Sequence, residues 1–345
     1  MGKNRLRALV LALGLLGTGL AFGQTGPDLT PLYDEFAVIF DELGKDTLPY
    51  LQQFGLIMDG TGRAEVGKSL FISLSAGAVF TPGIATFRAG DNPLSYFDLD
   101  AMVGGELAEG SLEKSLYDGS KTFFLDPGLR LSIGLALANG IEFWGHFGII
   151  PQPVADLVGG LAGIDGLELN RLNAGGRLRF VLVRDQPGLP AISLGVGYTY
   201  TQFNLGLDLA AVPLGDIDFS GFSVALGGTL FANTRLHTAG VELALSKKLL
   251  IFAPFLRLGA WYQWASYTAG IENLGLTLTP PTPPGGTPVA VTGTLNPSEQ
   301  SINDLSFVIP GGLELVLGKV SLILQGSYDT ASAAPAASTS FQFRI

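Results

Sequence analysis

The most restrictive feature of this sequence is an alternation of apolar and polar residues that recurs along the chain and reaches its last residue. In the segment 171–183, the even positions from Leu172 to Leu182 are apolar or small, and three of the odd positions are arginines. Successive side chains of a strand point to opposite faces, so such a segment is apolar on one face and polar on the other. Eleven segments follow this pattern, and they are 68–80, 129–137, 141–150, 171–183, 191–203, 219–231, 237–246, 252–267, 305–317, 320–329 and 337–345.

The composition narrows the kind of sheet. Hydrophobic residues make up 47% of the chain and charged residues only 14%, yet no stretch after the N-terminal segment approaches the roughly eighteen apolar residues of a membrane helix. A secreted β-sandwich also alternates. Eleven segments of bilayer-crossing length favour a barrel, in which lipid-facing and lumen-facing residues alternate. The sequence therefore predicts an all-β, transmembrane, antiparallel up-and-down barrel over residues 67–345, with about 10–14 strands.

The lengths of the connections support this interpretation. Short connections are predicted at 138–140, 184–190, 246–249 and 318–319, and long ones at 81–126, 151–168, 204–218 and 269–304. Outer-membrane barrels have short periplasmic turns and long external loops. The alternation of the two classes fails between 219–231 and 237–246, where the link at Asn233 is short. Either 219–231 belongs to an external excursion, which gives ten strands, or a strand is hidden in a long connection, which gives twelve.

The N-terminus predicts export. Lys3, Arg5 and Arg7 precede an apolar run that ends in Ala21-Phe22-Gly23, which is typical of a secretory signal peptide over residues 1–23. Removing these three basic residues leaves 17 Lys and Arg against 30 Asp and Glu, a net charge near −13 that argues against nucleic acid as a partner. The chain has no cysteine. We therefore expect a disulfide-free protein of the bacterial outer membrane after signal-peptide cleavage.

The C-terminal segment predicts the closing strand. Phe341, Phe343 and Ile345 share one face and are expected to contact outer-membrane lipid, while Arg344 lies on the other face. This strand is expected to pair with the first strand near 68–80. The barrel assembly machinery is an expected partner of this strand, and its usual recognition signal is a terminal aromatic residue. The resemblance to that signal is imperfect, because the last residue here is isoleucine.

Residues 24–66 predict a helical plug or cap rather than a strand. Thr30 can cap a helix that begins at Pro31, and Gly44 can end it. One apolar stripe follows at helical spacing, formed by Leu32, Phe36, Ile39, Phe40 and Leu43. A second short helix is expected after Thr47. The stripe is too apolar to lie in water, so the segment is expected to fill the lumen, cover its mouth or dock on a partner.

This layout, with "VGKSLFISLSAGAVFTPG" and "ALSKKLLIFAPFLRLGAWYQ" in the barrel region, resembles an uncharacterised family of bacterial outer-membrane barrels. That family is itself distantly similar to the long-chain fatty-acid transporters of the outer membrane. The resemblance implies the binding or passage of a hydrophobic small molecule, with the N-terminal segment acting as a hatch. Those transporters have fourteen strands, more than the ten to twelve found here.

The sequence gives little support for a catalytic site or a metal site. The chain has two histidines, His146 and His237, and neither has a serine two positions on, where lipase-type barrels keep theirs. The glycine-rich runs 159–166 and 280–288 lack the strand and helix that a phosphate-binding loop requires. We therefore expect no enzymatic activity, no metal and no cofactor.

Charged residues are expected on the inward face of the barrel. They are Arg130, Glu142, Arg171, Arg177, Arg179, Glu242, Arg257, Glu314 and Asp329. They could form a constriction that selects a solute, or they could pair across strands and with the plug to fill a narrow interior. The near balance of signs favours pairing.

Taken together, these features predict a plugged barrel that passively takes up or binds a hydrophobic or amphipathic small molecule. The alternative is a structural or surface-interaction barrel with long external loops and no transport.

Overall fold

A computed structural model of the protein describes most of the barrel and part of the N-terminal segment. The described residues are 29–41, 51, 61–65, 70–80, 109, 111, 114–115, 118, 123–137, 140–153, 155–156, 167–210, 217–219, 222–279, 288–292 and 297–345. The signal peptide 1–23 and Leu43 of the apolar stripe lie outside them and stay predictions.

Twelve strands occur in this part of the chain, and all of their pairings are antiparallel. In chain order they are β1 (Leu70–Phe80), β2 (Phe123–Ala136), β3 (Ile141–Ile149), β4 (Leu167–Val183), β5 (Ala191–Asp208), β6 (Ile217–Phe219), β7 (Phe222–Ser246), β8 (Phe252–Thr279), β9 (Val289–Thr292), β10 (Ser298–Leu317), β11 (Val320–Asp329) and β12 (Ala334–Arg344).

Ten of these strands close into a ring. Each ring strand pairs with its neighbour in chain order, β7 pairs with β8, and the last strand β12 pairs with the first, with Leu74 opposite Phe341. The short strands β6 and β9 pair with β7 and β8 and stand outside the ring. The predicted up-and-down barrel is confirmed, and so is its closure by the C-terminal strand.

The stagger of the strands fixes the width of the barrel. Following paired positions around the ring from Asp304 on β10 leads back to Val316 on the same strand, a shift of twelve residues. The positions on this path are Gln263, Thr238, Thr199, Gly175, His146, Ser132, Ser73, Gln342 and Ser321. With ordinary strand spacings, ten strands and this shift give a tilt of about 40° and a backbone diameter of about 20 Å. Such a cylinder, once lined by side chains, has room for about one helix.

The barrel is taller on one side than on the other. The contiguous strands β4, β5, β7, β8 and β10 have 17, 18, 25, 28 and 20 residues, and we call them the tall wall. The contiguous strands β11, β12, β1, β2 and β3 have 10, 11, 11, 14 and 9 residues, and we call them the low wall. A tilted strand of about 9–11 residues crosses a bilayer. The low wall is therefore close to this length, and the tall wall projects beyond it.

The two ends of the barrel also differ. The short connections between β2 and β3, β4 and β5, β7 and β8, and β10 and β11 all lie at one end, which we call the turn end. The tall wall projects at the opposite end, which we call the loop end. The C-terminal residue Ile345 lies at the turn end, where its amide donates to the carbonyl of Leu70.

The outer face of the barrel is apolar. Alternate residues such as Leu131, Phe147 and Phe343 are roughly half exposed, whereas their neighbours in the chain point into the lumen and are buried. A belt of large apolar side chains around a closed sheet is the surface that a bilayer covers. The described strands therefore form a transmembrane β-barrel, as the alternation predicted.

The predicted segmentation was wrong in several places. Inside predicted loops, β2 begins at Phe123 and β5 continues to Asp208. The segments 219–231 and 237–246 are one strand, β7, so the link at Asn233 is not a turn. The predicted loop 269–304 is in part strand, because β8 continues to Thr279 and β10 begins at Ser298. The ten-strand alternative is correct for the ring. Sequence alternation did not show the length of β8 because a bulge at Asn273, which has a positive φ, shifts the apolar positions by one residue.

The predicted helix is confirmed over residues 30–41, and we call it α1. Four residues of the predicted stripe, Leu32, Phe36, Ile39 and Phe40, are buried. No helix in the described part of the chain has the length and apolar character needed to cross a membrane.

The outward position of Leu131 gives a test of the belt. Leu131 lies between the outward-facing Leu74 and Phe147 on the neighbouring strands. Leu131→Arg should lower the free energy of unfolding in lipid vesicles by about 2–4 kcal/mol, because it places a charge near the middle of the apolar belt. Asn170→Arg is the matched control, since Asn170 is exposed and lies beyond the belt on β4. Equal unfolding free energies for the two variants would contradict this assignment.

Candidate functional site

The candidate functional site is the lumen, which the wall divides into three layers. A charged layer lies near the turn end, a layer of hydroxyl and amide side chains lies in the middle, and an apolar layer lies toward the loop end. Parts of the N-terminal segment contact both the charged and the apolar layer. Each layer follows from the residues that alternate strand positions direct inward.

Arg179 on β4 is the most highly connected residue of the charged layer. Its guanidinium lies 3.2 Å from a carboxylate oxygen of Glu142 on the next strand, and it donates to the carbonyl oxygen of Arg63 at 2.7 Å and to the hydroxyl of Thr61 at 3.1 Å. It also lies over the ring of Trp144, at 4.5 Å from the centroid. Arg179 therefore joins the wall of the barrel to the N-terminal segment.

Two other arginines of the charged layer share one carboxylate. Glu242 on β7 lies 3.2 Å from Arg177 and 3.6 Å from Arg257, and all three side chains are buried. Arg177 also lies over the ring of Trp261, at 4.7 Å from the centroid. Burial of these charges is tolerated because each is hydrogen-bonded or paired.

Glu314 on β10 forms the third group. It lies 3.2 Å from Arg63 and also forms an ion pair with Arg344 of the C-terminal strand. One buried carboxylate thus connects the N-terminal segment to the last strand of the barrel. Arg63 was missed by the sequence prediction, and no pattern marks it. Arg344 was placed on the face opposite the lipid-facing residues but was not included among the inward charges.

Residues 61–65 form a strap across the charged layer, which we call the latch. Besides the contacts of Thr61 and Arg63, the amide of Ala64 donates to the hydroxyl of Ser246 at 2.8 Å. Glu65 accepts from the amide of Asp185 at 3.1 Å, in the turn between β4 and β5. The latch is therefore held by groups from β4, β7 and β10 and from one turn.

Glycines on the inner wall make room for the large side chains of the charged layer. A Cβ on Gly240 would lie 2.6 Å from the ring of Trp261, and one on Gly134 would lie 2.1 Å from the ring of Phe71. These rings lie flat against the backbone of neighbouring strands. Large wall side chains and the latch therefore share the interior of this half.

The middle layer is hydrophilic. Ser132, Thr238 and Gln263 are buried, and the polar atoms of their side chains have no hydrogen-bond partner among the described residues. Asn173 donates to Thr201 at 2.6 Å. This layer separates the charged layer from the apolar one.

One face of α1 packs against the apolar layer. Its four buried residues form one cluster with side chains of β7 and β8 in the tall wall and with Leu209, which follows β5. The buried members on the wall are Leu209, Val224, Leu236, Ala265, Tyr267, Ala269, Ile271, Leu274, Leu276 and Leu278. Gln300 of β10 holds the end of the helix by donating to the backbone carbonyl and the carboxylate of Asp41, each at 2.7 Å. Leu51 packs on the opposite side, against Val79, Ala334 and Ala336 of the low wall.

All nine predicted inward charges lie on the inward face. Six of them enter the three groups described above. Asp329 is buried at the loop end of β11, where it accepts from Ser306 and from the amide of Ala331. Arg130 is buried on β2, and Arg171 is partly buried on β4. The pairing interpretation fits the six that are brought together, and a role in selecting a solute stays a prediction.

The two histidines occupy different environments. His146 is buried in the lumen, with Nε2 3.4 Å from the hydroxyl of Thr199. His237 lies on the outer face, with Nδ1 2.7 Å from the hydroxyl of Tyr198. The described part of the chain contains no group of three or more His, Asp or Glu side chains that could hold a metal ion.

Comparisons with known proteins show barrels of low similarity. No protein-family model matches the chain, and no curated protein matches it. Among solved structures, the outer membrane protease OmpT from Escherichia coli is 9% identical, with a TM-score of 0.40, over 81% of this chain and 98% of that chain. The translocator domain of the autotransporter NalP from Neisseria meningitidis is 11% identical, with a TM-score of 0.36, over 92% and 99%. The Ralstonia pickettii toluene transporter TbuX is 9% identical, with a TM-score of 0.24, over 84% and 97%.

Identities and TM-scores of this size carry no argument about activity. The barrel fold stands instead on the strand pairing of the chain itself.

The contacts of Arg179 give a stability prediction. Arg179→Met should lower the free energy of unfolding by about 3–5 kcal/mol, because it leaves the buried Glu142 without its arginine. The double variant Arg179→Met/Glu142→Leu is the control and should recover most of the loss. Urea unfolding in lipid vesicles, followed by tryptophan fluorescence, measures both. A single variant as stable as the wild type would contradict the role of Arg179.

A second prediction concerns pH at the turn end. Partial burial favours the neutral form of Asp185. This effect is outweighed by hydrogen bonds from the Lys247 side chain and the Lys248 amide and by the positive charges of Lys247 and Arg63. The pKa of the Asp185 carboxyl is therefore lowered from its ordinary 3.8. Its contribution to stability is complete above that value and is lost as the pH falls through the lower folded value.

The decrease in the urea midpoint between about pH 6 and about pH 2 should therefore be smaller in Asp185→Asn than in the wild type. The other carboxylates are the same in both proteins, so the difference isolates Asp185. Identical pH profiles would show that the contact between the two turns does not stabilise the fold.

Proposed function

We propose that the protein is a bacterial outer-membrane barrel that binds or takes up a hydrophobic or amphipathic small molecule, with its N-terminal segment as a movable plug. The turn end would face the periplasm and the loop end the exterior, as the lengths of the connections suggest. The apolar belt supports a place in a membrane. No reaction is assigned to the barrel.

The single observation that carries this proposal is the apolar layer. The interior of outer-membrane barrels is ordinarily polar, yet here Leu236, Tyr267 and Ile271 of the tall wall point inward and bury the stripe of α1. The same wall could bury an apolar ligand of similar width. The resemblance to the long-chain fatty-acid transporters agrees with such a ligand.

Replacement of α1 by a ligand is energetically more favourable than withdrawal of α1 into water. Burial of each large apolar side chain contributes about 1.5–3 kcal/mol, so withdrawal of the four buried residues of α1 into water would cost about 6–12 kcal/mol. A ligand that takes their place offsets most of this cost. Displacement of α1 is therefore expected only when an apolar molecule occupies the layer.

The latch provides a second barrier. It is bound by hydrogen bonds and ion pairs rather than by apolar contact, so a ligand in the apolar layer would not displace it directly. Passage into the periplasm would require that contacts such as Arg179 with Thr61 and Arg63 with Glu314 break in a separate step.

Reversible cross-links test whether the plug moves. The chain has no cysteine, so Ala64→Cys/Ser246→Cys can tie the latch to β7 by a disulfide. The contact between Asp41 and Gln300 spans a glutamine side chain, so Asp41→Cys/Gln300→Cys can tie α1 to β10 through a bis-maleimide that contains a reducible disulfide. Uptake of a hydrophobic dye into vesicles should stop when either pair is linked and return on reduction. The reduced form of the same protein is the matched control.

Deletion of residues 25–60 completes the test. Strand pairing satisfies the backbone of the barrel without the plug, so the shortened chain should still insert, and its apolar layer should bind more dye than the full chain does. Equal and negligible dye binding and uptake in the full chain, the shortened chain and both redox states would overturn the transport proposal.

A surface-interaction barrel is the second candidate, and the tall wall is the observation that favours it. The strands β7 and β8 exceed the length needed to cross a bilayer more than twofold and carry β6 and β9 at their far ends. Such a projection offers a rigid surface to a partner. This candidate predicts the negative outcome of the dye experiments.

A further inference from the structure

A cluster of five aromatic rings lies on the outer face of the tall wall. We call it the aromatic cluster, and its members are Tyr198 and Tyr200 of β5, His237 of β7, and Tyr262 and Trp264 of β8. Tyr198 and Tyr262 are 43% and 49% exposed, so the cluster is part of the outer surface rather than the lumen.

The rings are held in one arrangement. The hydroxyl of Tyr198 lies 2.7 Å from Nδ1 of His237. The ring of His237 is parallel to that of Trp264, with centroids 5.2 Å apart, and the ring of Tyr200 is 5.0 Å from His237. Tyr262 lies 5.8 Å from Trp264. Cross-strand contacts of this kind stabilise a fixed surface before any ligand binds.

The cluster marks the boundary of the apolar belt. On the side toward the turn end, the outward residues are apolar and exposed, such as Val196, Val241 and Leu258. On the side toward the loop end, the next outward row consists of Gln202, Arg235 and Ser266, which are directly paired across the three strands. The following row is Asn204, Asn233 and Thr268. A lipid headgroup at this height would contact aromatic rings on the side toward the turn end and polar side chains on the side toward the loop end.

Arg235 is exceptional among the basic residues of the described strands. The other six, which are Arg130, Arg171, Arg177, Arg179, Arg257 and Arg344, all point into the lumen. Arg235 points outward and is exposed, and no ion pair connects it to a carboxylate in the described part of the chain. The outward acid Glu299 lies on β10, on the other side of β8 from Arg235, where it is paired with Thr268. A cation left open at a membrane boundary favours an anionic group from the lipid side.

We propose that the aromatic cluster and Arg235 bind the phosphorylated sugar headgroup of a glycolipid in the outer leaflet. Sugar rings present C–H groups on their faces, which suit the electron-rich faces of Trp264 and the tyrosines. Arg235 supplies the fork of donors that fits a phosphate, and Gln202 and Asn204 supply partners for sugar hydroxyls. A phospholipid headgroup lacks the sugar ring that the aromatic cluster would contact. This inference depends on the loop end facing the exterior.

Retention of lipid by the purified full chain tests the proposal. The probes are bisphosphorylated lipid A, its monophosphorylated form and phosphatidylglycerol, each added at equal concentration to the detergent-solubilised barrel and counted by native mass spectrometry. We expect one lipid A per barrel, with at least tenfold weaker binding of phosphatidylglycerol and an intermediate affinity for the monophosphorylated form. Arg235→Ala and Trp264→Ala should each lower lipid A binding at least tenfold.

Matched variants separate this site from a general aromatic girdle. Tyr328→Ala removes an outward aromatic residue from β11, which β10 separates from the cluster, and should leave lipid A binding unchanged. Arg235→Lys keeps the charge without the fork and should bind with intermediate affinity. Heat-modifiable gel mobility reports folding of every variant. Equal binding of lipid A and phosphatidylglycerol, or wild-type lipid A binding by folded Arg235→Ala, would overturn the proposal.

Discussion

The structure depends on one constraint, which is that every backbone N–H and C=O in the bilayer must find a partner within the sheet. An open edge in hydrocarbon costs several kcal/mol for each unpaired group, so β12 must pair with β1. Ten strands with a stagger of twelve residues then define a cylinder of about 20 Å. This width is too small for a wide channel and too large for wall side chains alone to fill, so part of the chain's own N-terminal segment fills it.

The latch and α1 are held in the lumen by different kinds of interaction, and this difference gives them different roles. The latch is bound by directional contacts, because Arg179 reaches Glu142, Arg63 and Thr61 at once and Glu314 joins Arg63 to Arg344. Buried ion pairs contribute little net stability but tolerate only one arrangement. The apolar layer around α1 is non-directional. It can accept another apolar occupant of similar volume, whereas the charged layer cannot.

Much of the barrel could be predicted from the sequence, because a strand that faces lipid on one side and the lumen on the other must alternate. The arginines of β4 and the glutamates of β7 and β10 were placed on the inward face for this reason. The same reasoning failed at β7, where Asn233 and Thr234 look like a turn but lie within one strand that pairs with β8 on one side and β5 on the other.

Other features depend on contacts that no local pattern encodes. Nothing in the neighbourhood of Arg63 shows that its carbonyl will accept from Arg179, 116 positions away. The length of β8 was hidden by the bulge at Asn273, where one extra residue faces Gly228 and moves the inward apolar positions from Ile271 to Leu274. The bulge preserves the apolar layer while breaking the alternation that would have shown it.

The tall wall is the part of the barrel that buries the apolar stripe of α1. A helix of twelve residues is about 18 Å long, and its stripe can stay buried only where a wall of comparable height continues the apolar layer. The extensions of β7 and β8 supply Val224, Leu274 and Leu278 for this purpose. The opposite face of the helix, with Pro31, Asp34 and Val38, is exposed. Because α1 is buried on the tall wall along one face only, its displacement requires the loss of contacts with β7, β8 and β10 and with Leu209, while the closed ring of strand pairs stays intact.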